Sequence, residues 1–252
     1  MTVVVDRSDW GRLRVTGADR VRFLQGLTTI NVEKLEVGAH GWGAILTPKG
    51  RVVAVVDVAN HGDHHVVACE PSIADKTRAV LERYAVMDDV SFEPIIGPAH
   101  QDVGWRDAIT DGAAAGALPD SDPVAERARI RAGFLRYGAD VDEDCFPFET
   151  PLVAFLDYGK GCYVGQEPVF RVHAQGNSAR KLRLLRVDGA APLAHGARIT
   201  HPAKDNAGAI TSSVVDDDGA HVLALGYLHR TCWDAQPVTV DGRTATVSEL
   251  EA

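Results

Sequence analysis

The chain has 252 residues, 45% of them hydrophobic and 24% charged, which is the composition of an ordinary globular protein with enough apolar material to bury a large core. Its net charge of −9 excludes general affinity for nucleic acid, which needs clustered Lys and Arg against phosphates. Met1 is followed by too short an apolar run, broken by Asp6, for a signal peptide, and no later run reaches membrane-spanning length, so a cytoplasmic protein without membrane contact is expected.

In chain order, residues 12–15 read as a strand, and Asp19 as the cap of a helix whose Val21, Leu24 and Leu27 recur at three-residue steps. The Phe23-Leu24-Gln25 segment reads as core packing. Strands are expected over 43–46, 51–58 and 65–69, the first two joined by a turn at Pro48-Lys49-Gly50. Ser72 with Asp75 forms a capping-box pattern for a helix to about residue 85, and a strand follows over 90–95. Histidines 61, 64 and 65 suit a solvated hairpin tip, because no carboxylate or thiol spacing around them supports a metal site. Residues 108–123 are the clearest linker, and Asp122-Pro123 starts a helix that Gly133 ends. From residue 182 onward, strands over 182–187, 209–215, 221–228, 238–240 and 244–250 follow one another closely. The fold class expected is α+β: an α+β region over 1–180 built on antiparallel sheets, in one lobe or two, then a small antiparallel β-barrel over 181–252.

The four cysteines, Cys69, Cys145, Cys162 and Cys232, form no C-x-x-C pair, so reduced thiols are expected and neither a disulfide framework nor a metal site. Cys69 ends an apolar run and reads as core, Cys145 sits among Asp142, Glu143 and Asp144, which should raise its pKa, and Cys232 reads as structural. Cys162 stands apart, in Lys160-Gly161-Cys162-Tyr163-Val164-Gly165-Gln166-Glu167. A cation two positions before a cysteine favours the thiolate, and glycines on both sides let backbone turn sharply or approach a ligand closely. Burial as a small hydrophobe is the competing reading of that cysteine. Gln166 and Glu167 place an amide and a carboxylate where a helix begins at Pro168. Between residues 160 and 186, Lys160, Arg171, Arg180, Lys181, Arg183 and Arg186 face a single acid, Glu167, a local balance of +5 that could attract an anionic ligand.

This octapeptide, with Arg171 and Gly176 beyond it, resembles the signature of the YgfZ-type folate-binding proteins, relatives of the aminomethyltransferase (T-protein) of the glycine cleavage system. Segment 17–29 with Phe23-Leu24-Gln25-Gly26, the run Thr47-Pro48-Lys49-Gly50-Arg51-Val52, the stretch 129–149 and the segment 208–212 resemble the same superfamily, so the likeness spans nearly the whole chain. It implies an aminomethyltransferase-like fold with tetrahydrofolate held between the α+β part and the barrel. It implies a role in assembly or repair of iron–sulfur clusters, with iron–sulfur enzymes or assembly proteins, some of them tRNA-thiolating, as partners. Cys162 would supply a thiolate whose pKa Lys160 lowers. Gly161, Tyr163, Gly165, Gln166 and Glu167 would shape the turn or meet the pterin, and Arg171, Arg180, Lys181 and Arg183 would meet the folate tail. The chain departs from the transferases at two places: Arg131 stands where they carry a pterin-binding glutamate, and an essential aspartate is absent near Val53 and Ala54. Arginine has only donors and cannot replace a carboxylate on the pterin's donor edge, so glycine-cleavage chemistry is not expected. A one-carbon transferase or demethylase, and a scaffold that has lost folate, are the alternative readings; whether the protein is an enzyme stays open.

Overall fold

The computed structural model describes residues 3–175, 178–232 and 237–250. The chain opens with β1 (Val4–Asp6), β2 (Gly11–Thr16) and α1 (Arg20–Leu27), followed by β3 (His40–Leu46), β4 (Val52–Asn60) and β5 (His65–Cys69). Helix α2 (Ala74–Tyr84) and strand β6 (Ser91–Pro94) complete a five-stranded antiparallel sheet in the order β3-β4-β5-β2-β6. Strand β4 is buried from Val52 to Val58 because both faces of the sheet are covered, which is why it reads as one continuous apolar run. Val56 and Val58 pack with Phe23, Leu24 and Leu27 of α1 and Leu81 of α2, while Val52 and Val55 meet an aromatic core on the other face.

Two caps differ from expectation. The Asp19 carboxylate makes no cap bond to α1; it accepts from the Asp89 amide at 2.9 Å and pairs with Arg22 at 3.2 Å, tying the helix start to the loop before β6. Pro71 begins a 3-10 turn over Pro71–Ile73, so α2 starts only at Ala74 and the Ser72–Asp75 box does not form. Asp122 does cap: its carboxylate accepts from the Val124 amide at 2.7 Å at the start of α3 (Pro123–Arg131), which Gly133 leaves with φ of +61°.

A second sheet, β1-β7-β8, uses β7 (Ala99–Asp102) and β8 (Thr110–Asp111), the latter inside the stretch read as linker. Between the two sheets Trp10, Trp42, Trp105 and Phe134 interlock, Trp42 lying 5.7 Å from Trp105 and 5.0 Å from Phe134 edge to face. This core continues without a break into Leu182, Leu223, Leu225 and Tyr227 of the C-terminal barrel.

Helix α4 (Gln166–Gln175) precedes the barrel, which consists of β9 (Arg180–Asp188), β10 (Arg198–His201), β11 (Lys204–Val215), β12 (His221–His229), β13 (Val238–Val240) and β14 (Arg243–Ser248). It closes in the order β10-β11-β12-β9-β14-β13. The sequence reading gave five of these strands and missed β10, which buries essentially one side chain, Ile199, and so carries no alternating pattern to detect. Asp140, fully buried, joins the two parts: it pairs with Arg129 at 2.6 Å and accepts from the Thr211 and Ser212 hydroxyls of β11 at 2.5 and 2.7 Å. No helix among the described residues is long and apolar enough to cross a membrane.

Candidate functional site

The signature turn is built against the N-terminal part of the sheet. Gly165 takes φ of +81°, and a Cβ there would lie 2.4 Å from the Thr47 carbonyl oxygen and 3.2 Å from Gly50 Cα, so only glycine lets the turn sit on the Pro48-Lys49-Gly50 turn. Gly50 reciprocates with φ of +77°, and a Cβ there would lie 3.1 Å from the Pro168 side chain. The Val164 amide donates to the Gly26 carbonyl at 3.0 Å, and the Tyr163 amide to the Gln166 side chain at 3.2 Å, so the Phe23-Leu24-Gln25-Gly26 segment, the proline-lysine-glycine turn and the signature form one packed unit. Gln25 contributes by accepting from the Val32 amide at 2.7 Å. Gly161, by contrast, has open space at its Cβ position and no close approach to make.

Cys162 is exposed, while Cys69, Cys145 and Cys232 are buried. The expected activation by Lys160 is corrected by the geometry. Lys160 is only 6% exposed, and its ammonium donates to the Thr28 and Ile30 carbonyls at 2.6 and 2.5 Å while lying 4.9 Å from the Tyr163 ring. Burial pushes its pKa down to about 8, against the pull of Asp157 and Glu33. Lysine carries three donors and no acceptor, and here a buried carbonyl pair, not the Cys162 sulfur, takes up the amine's hydrogen bonds. Tyr163 is packed beside it, its hydroxyl without a hydrogen-bond partner among the described residues and pushed up to about 12 by burial.

The basic window is likewise not a bare cationic face. Glu167 pairs with Arg171 at 2.7 Å on the exposed side of α4, Arg180 with Glu149 at 3.3 Å, Arg183 with Glu249 at 3.1 Å, and Arg186 with Asp216 at 3.3 Å. Acids distant in sequence supply the counter-charges. Lys181 and Arg183 line a small cavity of about 180 Å³ with Phe148 and Glu249, apart from Arg180. Gly176 lies outside the described residues. The two departures from the transferase pattern are absorbed structurally: Val53 and Ala54 are core, and Arg131 bonds Asp216 and Asp217 at 2.5 and 2.7 Å.

The larger cavities are lined by neither Cys162 nor Lys160. The principal one, about 460 Å³, lies between the segment 139–145 and strands β11 and β12. Its floor is apolar, from Val141, Ala207, Ile210 and Tyr227, and Asp142, Asp144, Cys145, Arg180, His195 and His229 bring the polar groups. Arg180 stacks over the Tyr227 ring at 4.4 Å and reaches the Cys145 sulfur at 3.6 Å; the Tyr227 hydroxyl donates to the same sulfur at 3.4 Å. Burial pushes the Cys145 thiol up, with Asp142 adding to the effect, so the direction expected from its acidic neighbours holds while the main cause is desolvation. The cavity has room for a flat ring system, with acceptors in Asp142 and Asp144 and a guanidinium in Arg180, which it shares with Glu149. Sequence reasoning found Arg180 but not Asp144, His195, Tyr227 or His229, which come together only across the contact between segment and barrel.

The Thr47–Arg51 turn links both places. On one side it packs against Gly165 and Pro168; on the other Arg51 stacks over Phe146 at 3.8 Å and bonds the Asp144 carbonyl, and the Val52 amide donates to the Cys145 carbonyl at 3.0 Å. Among the described residues no group of three His, Cys, Asp or Glu side chains could hold a metal ion.

The fold is aminomethyltransferase-like: the glycine cleavage system aminomethyltransferase T of Bartonella henselae superposes with a TM-score of 0.81 at 16% identity, over 98% of this chain and 85% of that one. Among curated proteins, the tRNA-modifying protein YgfZ of Cronobacter sakazakii is 25% identical over 86% of this chain and 82% of its own, and that of Yersinia enterocolitica 25% identical over 72% and 70%. No protein-family model matches the chain. With the signature turn in place, these likenesses support a YgfZ/T-protein-like family for the chain.

Proposed function

We propose that this protein is a folate-binding accessory protein of the YgfZ kind, which holds a tetrahydrofolate-class ligand in the cavity beside the barrel and presents Cys162 to partner proteins in the cytoplasm. Its clients are iron–sulfur enzymes or their assembly proteins, tRNA-modifying enzymes among them. The observation that carries this reading is an exposed thiol on a glycine-locked turn, joined through the Thr47–Arg51 turn to a ligand-sized cavity containing Arg180. The names of the relatives, tRNA-modifying proteins, support the client class. Bound folate would supply one-carbon or pterin chemistry; the chain's own part is to orient it through Arg180 and the rim acids and to offer sulfur at the surface. Core residues at Val53 and Ala54 and a salt-bridged Arg131 leave the transferase reading without its acids.

Isothermal titration of the full chain with tetrahydrofolate and 5-formyltetrahydrofolate tests the ligand: one-to-one binding is expected, and no heat at millimolar ligand overturns it. Activity of cluster-containing enzymes in cells lacking the protein tests the role. Restoration by the parent chain but not by Cys162→Ala is expected, and equal restoration by both would leave a scaffold instead.

A further inference from the structure

Asp144 is held in a way that an ordinary surface aspartate is not. Its carbonyl accepts from two guanidinium groups, Arg51 from the Thr47–Arg51 turn and Arg180 from β9 at 3.1 Å, while its amide donates to the Asp142 carboxylate at 2.8 Å. Asp142 is occupied further by the Cys145 thiol, at 3.3 Å. Asp140, two positions earlier again, is saturated by Arg129, the Arg136 amide and two hydroxyls. Of the three aspartates lining the cavity, Asp144 alone has a carboxylate without a hydrogen-bond or ion-pair partner among the described residues. Its backbone is fixed from two sides and its acceptor oxygens are left open at the rim of an apolar-floored cavity, which is the arrangement of a positioned binding group.

We infer that Asp144 is the acceptor for the 2-amino-4-oxopyrimidine edge of a flat bicyclic ligand in this cavity. Adjacent ring N–H and amino groups on that edge donate two parallel hydrogen bonds to one carboxylate, the pairing that gives both strength and orientation. The rest of the bicycle lies on the floor formed by Val141, Ala207, Ile210 and Tyr227. The inference rests on the cavity being the folate site, but pterins and guanine share this edge, and the experiment separates the two sources.

The full chain, Asp144→Asn, Asp144→Ala and Glu143→Gln are titrated with 5-formyltetrahydrofolate and with guanosine monophosphate. Glu143 is an exposed neighbour paired with Lys76 and outside the cavity, so its variant makes the same charge change without touching the ligand. Folate binding weakened at least tenfold in both Asp144 variants, and unchanged in Glu143→Gln, is the expected result. Equal binding by the parent and the Asp144 variants overturns the assignment while the folate reading stands, and equal weakening in Glu143→Gln overturns it as a bulk charge effect. Binding of guanosine monophosphate alone, lost in the Asp144 variants, upholds the assignment and sinks the folate reading; binding of neither ligand by the parent chain sinks both.

Discussion

The signature turn and the cavity wall at residues 139–145 invert what their side chains suggest. The turn carries the reactive-looking set, Lys160, Cys162, Gln166 and Glu167, yet Lys160 and Gln166 are spent on backbone groups, Glu167 on a neighbouring arginine, and only the thiol is left open. The wall carries acids and a buried cysteine that look inert, yet it borders a cavity of about 460 Å³ and meets Arg180 there. A side chain's chemistry is decided by which partners reach it first, and backbone carbonyls inside a fold reach a lysine more surely than a thiol two residues away does.

The sharpest way to break this comparison is at Asp140, whose burial with Arg129 holds the wall to the barrel. Asp140→Ala removes one of the two carboxylates on the buried Arg129 guanidinium, which keeps Glu126, and takes the acceptor from the Thr211 and Ser212 hydroxyls; it is expected to cost about 3–5 kcal/mol, read as a lowered midpoint in urea unfolding, and a cost below about 1 kcal/mol would show the wall to be held otherwise. Next comes the pair of glycines in the turn. Gly165→Ala is expected to destabilise by more than about 1 kcal/mol, because of its positive φ and the Thr47 carbonyl in its path, while Gly161→Ala stays within about 0.5 kcal/mol; equal costs would remove the distinction between locked and open glycine.

Lys160 sharpens the contrast through pH. Its pKa when folded, about 8, lies below the 10.5 of an unfolded lysine, so between those values the folded chain holds fewer protons and its stability rises with pH. The stability of the parent minus that of Lys160→Met should therefore climb from pH 8 to 10.5 and be level below pH 8; a level difference throughout would mean an ordinary, solvated lysine. The same variant should leave the pH profile of Cys162 alkylation where it is, since the amine is engaged with Thr28 and Ile30. Smallest in energy is thiol labelling of the native protein: iodoacetamide followed by peptide mass mapping should modify Cys162 first, with Cys69, pushed up to about 11 by burial, and Cys145 protected until unfolding.

Much of the fold was legible because its elements are local. The turn at Pro48-Lys49-Gly50 needs the positive φ that Gly50 supplies, the Asp122-Pro123 start of α3 satisfies its own amides, and several short strands at close intervals after residue 182 announce a barrel. The Asp19 cap and the Ser72 box failed because Asp89 and Pro71 offered competing local bonds and geometry that a pattern of residue types does not rank. In the site, the exposed thiol and the role of Gly165 were visible in the octapeptide, whereas the neutralised arginines were not, since Glu149, Asp216 and Glu249 approach them only after the chain folds back.

By itself, then, the order of residues determined the α+β-then-barrel plan and the place of the one open sulfur, because each depends on spacing, chirality at glycine or apolar period within a short stretch. Tertiary structure alone decided which charges are spent and which are free, and put Asp144, Arg180 and Tyr227 around one cavity. Hydrogen bonds and ion pairs between segments tens of residues apart are made by proximity in space, which no local pattern encodes.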